Sequence, residues 1–385
     1  MTRAGRSPRR GGRAPRVGPG TVVVVTGASA GVGRAAARAF GGRKATVALL
    51  ARGRRGLEGA AAEVRAAGGR ALVVPVDVAD AAAVDAAAER VLAECGRIDV
   101  WVNAAFSTVF GPVEKISAAE IGRATQVTYL GSVHGIQAAL RAMAHSGGTV
   151  VQVGSALTYR SVPLQSAYCG AKSALRGFID ALRCELRHDG TPVHLTMVQL
   201  PAVNTPQFSW VASHLPGHPR PVAPVYQPEV AARAIVHAAR RPRKREYWVG
   251  GSTVATLLAN RFAPWALERY LARTGYASQQ LDRPRPPGAP TALFRPADGP
   301  EGEDYGTRGI FGDESADRSV QLWLSRHRGL LAGLGCVLAL AAAGRPGVAG
   351  AVSGRGSPRS PAGGRERTPA ADCRAPAAAA RPTPR

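Results

Sequence analysis

Apolar positions along this chain follow two rhythms. Short, largely apolar runs, rich in valine and other β-branched residues, recur at residues 21–25, 45–50, 71–76, 98–102, 149–153 and 193–200. Between them lie longer alanine-rich stretches whose apolar positions return at helical spacing. A run that is apolar throughout suits a strand covered on both faces, and strands separated by helical stretches are the pattern of parallel βα units. The alternation predicts one doubly wound α/β sheet of about seven strands, near residues 21–26, 45–50, 71–76, 98–102, 149–153, 193–200 and 246–249. Helices are expected over 31–40, 57–67, 81–94, 117–144, 166–187 and 228–240, on both faces of the sheet. Asp80 and Ser117 are N-cap residue types at two of these starts, and Gly190 is a stop signal after the helix that follows the fifth strand.

Beyond residue 250 the pattern loosens. Residues 254–258 and 265–271 read as amphipathic helical pieces, 284–302 as a proline-rich connector, and 319–327 as another helical run containing Trp323. Residues 329–344 carry no charge and are flanked by Arg326, Arg328 and Arg345. A spanning helix needs about twenty apolar residues, so a packed or interfacial helix is favoured over a span, and a weak peripheral membrane contact is expected there. The predicted organisation is a disordered basic tail over 1–19, an α/β domain over 20–250, an extension over 251–328, the apolar helix over 329–344 and a second disordered basic tail over 345–385.

Candidate chemistry sits around Tyr168 and Lys172, one helical turn apart, with Ser155 thirteen residues upstream at the end of a strand. A tyrosine with a reference pKa of roughly 10 is a poor base near neutrality, and a cation at i+4 on the same helix face favours its phenolate. Ser155 can hydrogen-bond a substrate carbonyl or hydroxyl while Tyr168 moves the proton. Alone, the pair is also what a surface tyrosine beside a solvated lysine looks like. The context is the first strand, followed at once by Thr26, Gly27, Ala28, Ser29, Ala30, Gly31, Val32 and Gly33, a glycine turn that opens a helix. Such a layout lets backbone N–H groups and a helix N-terminus hold a pyrophosphate.

With these residues in order, the chain resembles the short-chain dehydrogenase/reductase family over roughly residues 21–250. That family has a Rossmann fold, this glycine spacing and a Ser with Tyr-x-x-x-Lys active site. The resemblance implies an enzyme that interconverts a carbonyl and an alcohol by hydride transfer, with Ser155, Tyr168 and Lys172 as catalytic residues. It implies cofactor binding by Gly27, Ser29, Ala30, Gly31, Val32 and Gly33, by Asp77 and Val78, by Asn103, Ala104 and Ala105, by Tyr168 and Lys172, and by Pro201 and Val203. Three departures stand out. Asn103, Ala104, Ala105 and Phe106 replace the family's Asn-Asn-Ala-Gly, so Phe106 narrows the space near the nicotinamide. Ala202 stands for the glycine of a Pro-Gly segment. Thr128 replaces the asparagine of the family's proton relay, and its hydroxyl is expected to bind a water in a rearranged relay.

Cofactor choice turns on residues 51–55, which contain Arg52, Arg54 and Arg55 and no acid. An NAD site places an Asp or Glu there for the ribose hydroxyls, whereas Arg52 can pair with a 2′-phosphate, so NADP(H) is expected ahead of NAD(H). The alternative is that these arginines belong to an exposed basic loop. The substrate is expected to be a lipophilic small-molecule carbonyl or alcohol held by Phe106, Val109, Phe110, Ala156, Leu157, Tyr159, Val162, Leu164, Phe208 and Trp210.

The net charge of +24 invites a nucleic-acid reading. Much of it lies in the two tails, which lack the aromatic interleaving of a base-stacking surface, so no specific nucleic-acid partner is expected. Five cysteines show no C-x-x-C pair and no spaced histidines, which argues against a disulfide framework or metal site and for a reducing cytoplasm. The N-terminus has arginines but no apolar signal-peptide run. A homo-oligomer is the expected assembly. The competing class is a non-enzymatic NADP-binding sensor or membrane-recruited scaffold, suggested by Thr128 and the extension.

Overall fold

A computed structural model describes residues 17–286, 288–299 and 302–327. The segment 329–344 and nearly all of both basic tails lie outside the described residues. A parallel sheet of seven strands runs through the centre: β1 (Val22–Thr26), β2 (Thr46–Ala51), β3 (Arg70–Pro75), β4 (Val100–Asn103), β5 (Gly148–Ser155), β6 (Val193–Leu200) and β7 (Glu246–Trp248). Their order across the sheet is 7-6-5-4-1-2-3. Each predicted strand is present, within two residues of its expected ends.

Side chains alternate between the two faces, as a pleat requires. Val23, Val25, Val47 and Leu49 pack beneath helices α1 (Gly31–Gly41), α2 (Arg54–Ala66) and the helix Pro228–Arg240. Val22, Val24, Ala48 and Leu50 face the opposite layer, built from α3 (Ala81–Cys95), α4 (Ala118–Thr125), α5 (Gly131–Ala142) and α6 (Ser166–His188). Asp80 caps α3 by accepting from Ala83 N, and Ser117 with Glu120 forms a reciprocal capping box on α4. The single long helix expected over 117–144 is α4 and α5 joined through a π turn at Gln126–Leu130. Such wide turns recur at functional sites.

The helix Pro228–Arg240 is α7; the extension adds α8 (Gly251–Phe262), α9 (Pro264–Thr274) and α10 (Val320–Arg326). Its irregular segment is bonded to the turns that follow β1 and β6 rather than left as a connector. Gly31 N donates to Gly306 O, and Phe311 N to Asn204 Oδ1. Arg34, nearly fully buried on α1, forms ion pairs with Glu63 of α2 and Asp304 of the extension. Among the described residues no helix is long and apolar enough to cross a membrane.

Candidate active site

The carboxyl ends of β1 and β4 meet where the strand order reverses, the position at which open α/β sheets bind ligands. A groove there is lined by Gly27, Ser29, Ala30, Gly31, Val32 and Gly33 after β1, Arg52 after β2, Asp77 and Val78 after β3, and Ala104 and Ala105 after β4. A Cβ at Gly33 would collide with Gly27 O, so only glycine lets α1 begin this close to the strand. No acidic residue occupies the first turn of α1. Its first N–H, on Gly31, is bonded to Gly306 O, so the N–H groups that follow are what the helix start offers an anion such as a pyrophosphate.

Ser155, Tyr168 and Lys172 share a second cavity of about 380 Å³, which also touches Val32, Ala104, Pro201 and Val203. Ser155 ends β5 in a fixed turn: its Oγ accepts from Leu157 N and its N–H donates to Thr158 Oγ1, both at 3.1 Å. Burial pushes the Tyr168 phenol above its usual range, partly offset by a hydrogen bond with Ser155. Lys172 Nζ donates to Val153 O at 2.9 Å and lies 5.5 Å from the Tyr168 ring centre. Burial lowers the Lys172 pKa to about 8. The lowering of the phenol pKa expected from Lys172 is not among the influences on Tyr168 in the protein by itself; desolvation dominates and favours the protonated phenol. Phe106 stands edge-on to Tyr168, with ring centres 5.8 Å apart, and borders both cavities.

Two expected site residues sit elsewhere. Asn103 is buried, donates to Ser132 O and accepts from Trp101 Nε1, and borders neither cavity. Thr128 is fully buried in the π turn. Its hydroxyl donates to Ser107 O at 2.7 Å and accepts from Ser107 N at 2.9 Å. With its one proton committed, Thr128 clamps the loop after β4 and has none to give a relay water.

Sequence reasoning missed the roof of the cavity that holds Ser155, Tyr168 and Lys172. Thr253, Thr256, Leu267, Tyr270 and Leu271 of α8 and α9 line it together with the expected Phe106, Phe110, Ala156, Leu157, Val162 and Phe208. Val109 and Leu164 are core residues, Tyr159 donates to the carboxylate of Glu246 at 2.6 Å, and Trp210 faces the first groove and packs on Tyr305. Apolar faces at helical spacing over 254–258 and 265–271 were the available signal.

The adenosine end of the groove differs more. Arg52 does not project freely: its guanidinium donates to the backbone carbonyls of Ala292, Leu293 and Phe294. Arg123 of α4 also donates to Leu293 O and forms an ion pair with Asp77. Burial opposes ionisation of Asp77, but the Ala79 N–H and Arg123 outweigh it and hold the carboxyl below its usual range. Residues 292–298 thus form a strap along the groove, ending at the buried Asp298. A single acid in a proline- and alanine-rich stretch gave no pattern that could have placed it.

A model of the short chain dehydrogenase family matches residues 21–214. The chain is 32% identical over 278 residues to the uncharacterized oxidoreductase YxnA of Bacillus subtilis, covering 71% of this chain and 77% of that one. It is 34% identical over 233 residues to the uncharacterized oxidoreductase Rv1543 of Mycobacterium tuberculosis, covering 58% and 66%. Among solved structures it matches an alcohol dehydrogenase from the archaeon Thermococcus sibiricus complexed with 5-hydroxy-NADP, with 27% identity, a TM-score of 0.51, and coverage of 60% of this chain and 94% of that one. The chain belongs to the short-chain dehydrogenase/reductase family of oxidoreductases.

Proposed function

We propose that the protein is an NADP(H)-dependent oxidoreductase that interconverts a carbonyl and an alcohol on a lipophilic small molecule. The observation that carries this reading is the meeting of Ser155, Tyr168 and Lys172 in one cavity that adjoins the glycine-rich groove. A nicotinamide cofactor, when bound, supplies the hydride acceptor or donor. The groove fits one: the first turn of α1 carries no acid, and Lys172 has one acceptor among the described residues for three donors, leaving two N–H groups for ribose hydroxyls. Ser155 orients the substrate oxygen. Tyr168 gives that oxygen a proton during reduction and takes it back during oxidation, and the Lys172 charge favours the phenolate left between the two.

NADP(H) is supported by Arg52 and by the absence of an acid in residues 51–55. A lipophilic substrate is supported by the cavity wall. Two of its amides are bonded to protein groups: Gln165 Nε2 donates to Gln279 Oε1 at 2.6 Å, and Gln279 Nε2 donates to Pro163 O and Gly275 O. What remains for a ligand is chiefly apolar surface from Phe106, Phe110, Leu157, Phe208 and Leu271, with Gln207 Oε1 and Thr253 Oγ1 as polar atoms that have no partner among the described residues. Tyr168→Phe tests the assignment, measured with NADPH and a panel of apolar aldehydes and ketones. Turnover should fall by roughly 10²–10⁴-fold with NADPH affinity preserved. Undiminished turnover would remove Tyr168 from the chemistry.

A further inference from the structure

Asp298 brings a second carboxylate into the adenosine corner, beside the Asp77 carboxylate that Arg123 pairs with. It is 8% exposed, and its Oδ2 has no hydrogen-bond partner among the described residues. The carboxylate presses on Gly53 and Gly56 at the start of α2, and a Cβ at either position would collide with it. Its negative charge acts on the Arg52 guanidinium, and it lines the groove with Ser29, Arg52 and Gly53. The positive end of a helix and a guanidinium are the two features that attract a 2′-phosphate. Asp298 stands at both.

We propose that Asp298 is a specificity-determining residue of the cofactor site, a carboxylate delivered by the extension that opposes the 2′-phosphate which Arg52 attracts. The inference rests on the nicotinamide-cofactor reading and deepens it. A carboxylate accepts hydrogen bonds from ribose hydroxyls and repels a phosphate, so one acid discriminates between the two cofactor types. Burial strengthens that discrimination, because water does not screen the encounter. The Arg52 donors already engaged by the strap carbonyls add to the effect, since fewer remain for a phosphate.

Calorimetric titration with adenosine 2′,5′-bisphosphate and with AMP reads the corner without the nicotinamide end, and NADPH and NADH read the whole groove. Asp298→Asn keeps the side-chain shape and removes the charge. It should tighten adenosine 2′,5′-bisphosphate and NADPH about tenfold and leave AMP and NADH within about twofold or weaker. Asp298→Ser serves as a second variant, and either one that keeps the unfolding temperature of the parent decides the matter. An unchanged ratio of bisphosphate to AMP affinity in a folded variant overturns the proposal. Arg52→Ala in the same assay separates it from the reading beneath: if the parent prefers NADH and Arg52→Ala changes nothing, the NADP(H) assignment fails, while the Asp298 comparison still stands or falls on its own ratio.

Discussion

The two ends of the groove are built by different means. At the catalytic end, Ser155, Tyr168 and Lys172 come from neighbouring stretches of chain, and β5 and α6 carry them into place. At the adenosine end, Arg52, Arg123 and the strap 292–298 come from three regions far apart in sequence, joined by guanidinium-to-carbonyl bonds. Chemistry needs a fixed arrangement of a few groups, so it sits on rigid elements; discrimination between cofactors needs only one well-placed charge, which an added segment can bring. The strap is held by the Arg52 and Arg123 bonds to its carbonyls and by Ala292 N donating to Trp210 O, and the segment after it is tied to α1 by Arg34 with Asp304 and by Gly31 N with Gly306 O, so it is part of the wall rather than an ornament.

The comparison is broken most severely by Tyr168→Phe, whose loss of turnover should leave the adenosine end untouched. Next in size is Thr128→Val. Losing the hydroxyl leaves Ser107 N–H and C=O without their buried partner, at about 2 kcal/mol of stability. Turnover per folded molecule should change little, because that hydroxyl is already committed. A large fall in turnover at unchanged stability would restore Thr128 to the proton path.

Arg34→Met sharpens the contrast. It removes the Arg34 bonds to Glu63 and Asp304, whose carboxylates are partly exposed, Glu63 keeping Arg38, and should destabilise the fold by about 1 kcal/mol, read by denaturant titration. The same variant should weaken the hold on the segment after the strap and shift NADPH affinity while the Ser155–Tyr168 arrangement persists. An Arg34→Met protein with parental stability would mean that this segment is held without it. The smallest effect is a pH dependence remote from both ends. Burial and the neighbouring Arg326, Arg241, Arg240 and Lys244 lower the His237 pKa to about 4 from 6.5. Between those values the unfolded chain binds a proton that the native state does not, so stability falls as pH drops from about 6.5 to 4. His237→Phe should flatten that part of the curve, as followed by unfolding temperature at pH 7 and 4.5.

The catalytic end was legible in the sequence because its signals are local. The β-branched runs fixed the strands, the glycine turn its helix start, and the i, i+4 pair its shared face. Arg52 was legible as a residue but not as a contact. Its partners are backbone carbonyls, which carry no residue-type signal, and they lie about 240 residues further along the chain. The same limit applies to Thr128, whose hydroxyl could face a water or a backbone pair, a choice made by the packing of the π turn against the loop after β4. The roof from α8 and α9 was visible as amphipathic helices, while what they cover depended on the turn at residue 263.

The tie between Gly31 N and Gly306 O also sets an order of events during synthesis. A ribosome adding roughly 5–20 residues per second makes Arg52 some tens of seconds before it makes Asp298. In that interval the emerging chain can assemble the first strands and the glycine turn, yet the wall that discriminates between cofactors does not exist. Whatever discrimination Asp298 brings is therefore completed only once residues 292–306 have been made and joined to the turn after β1.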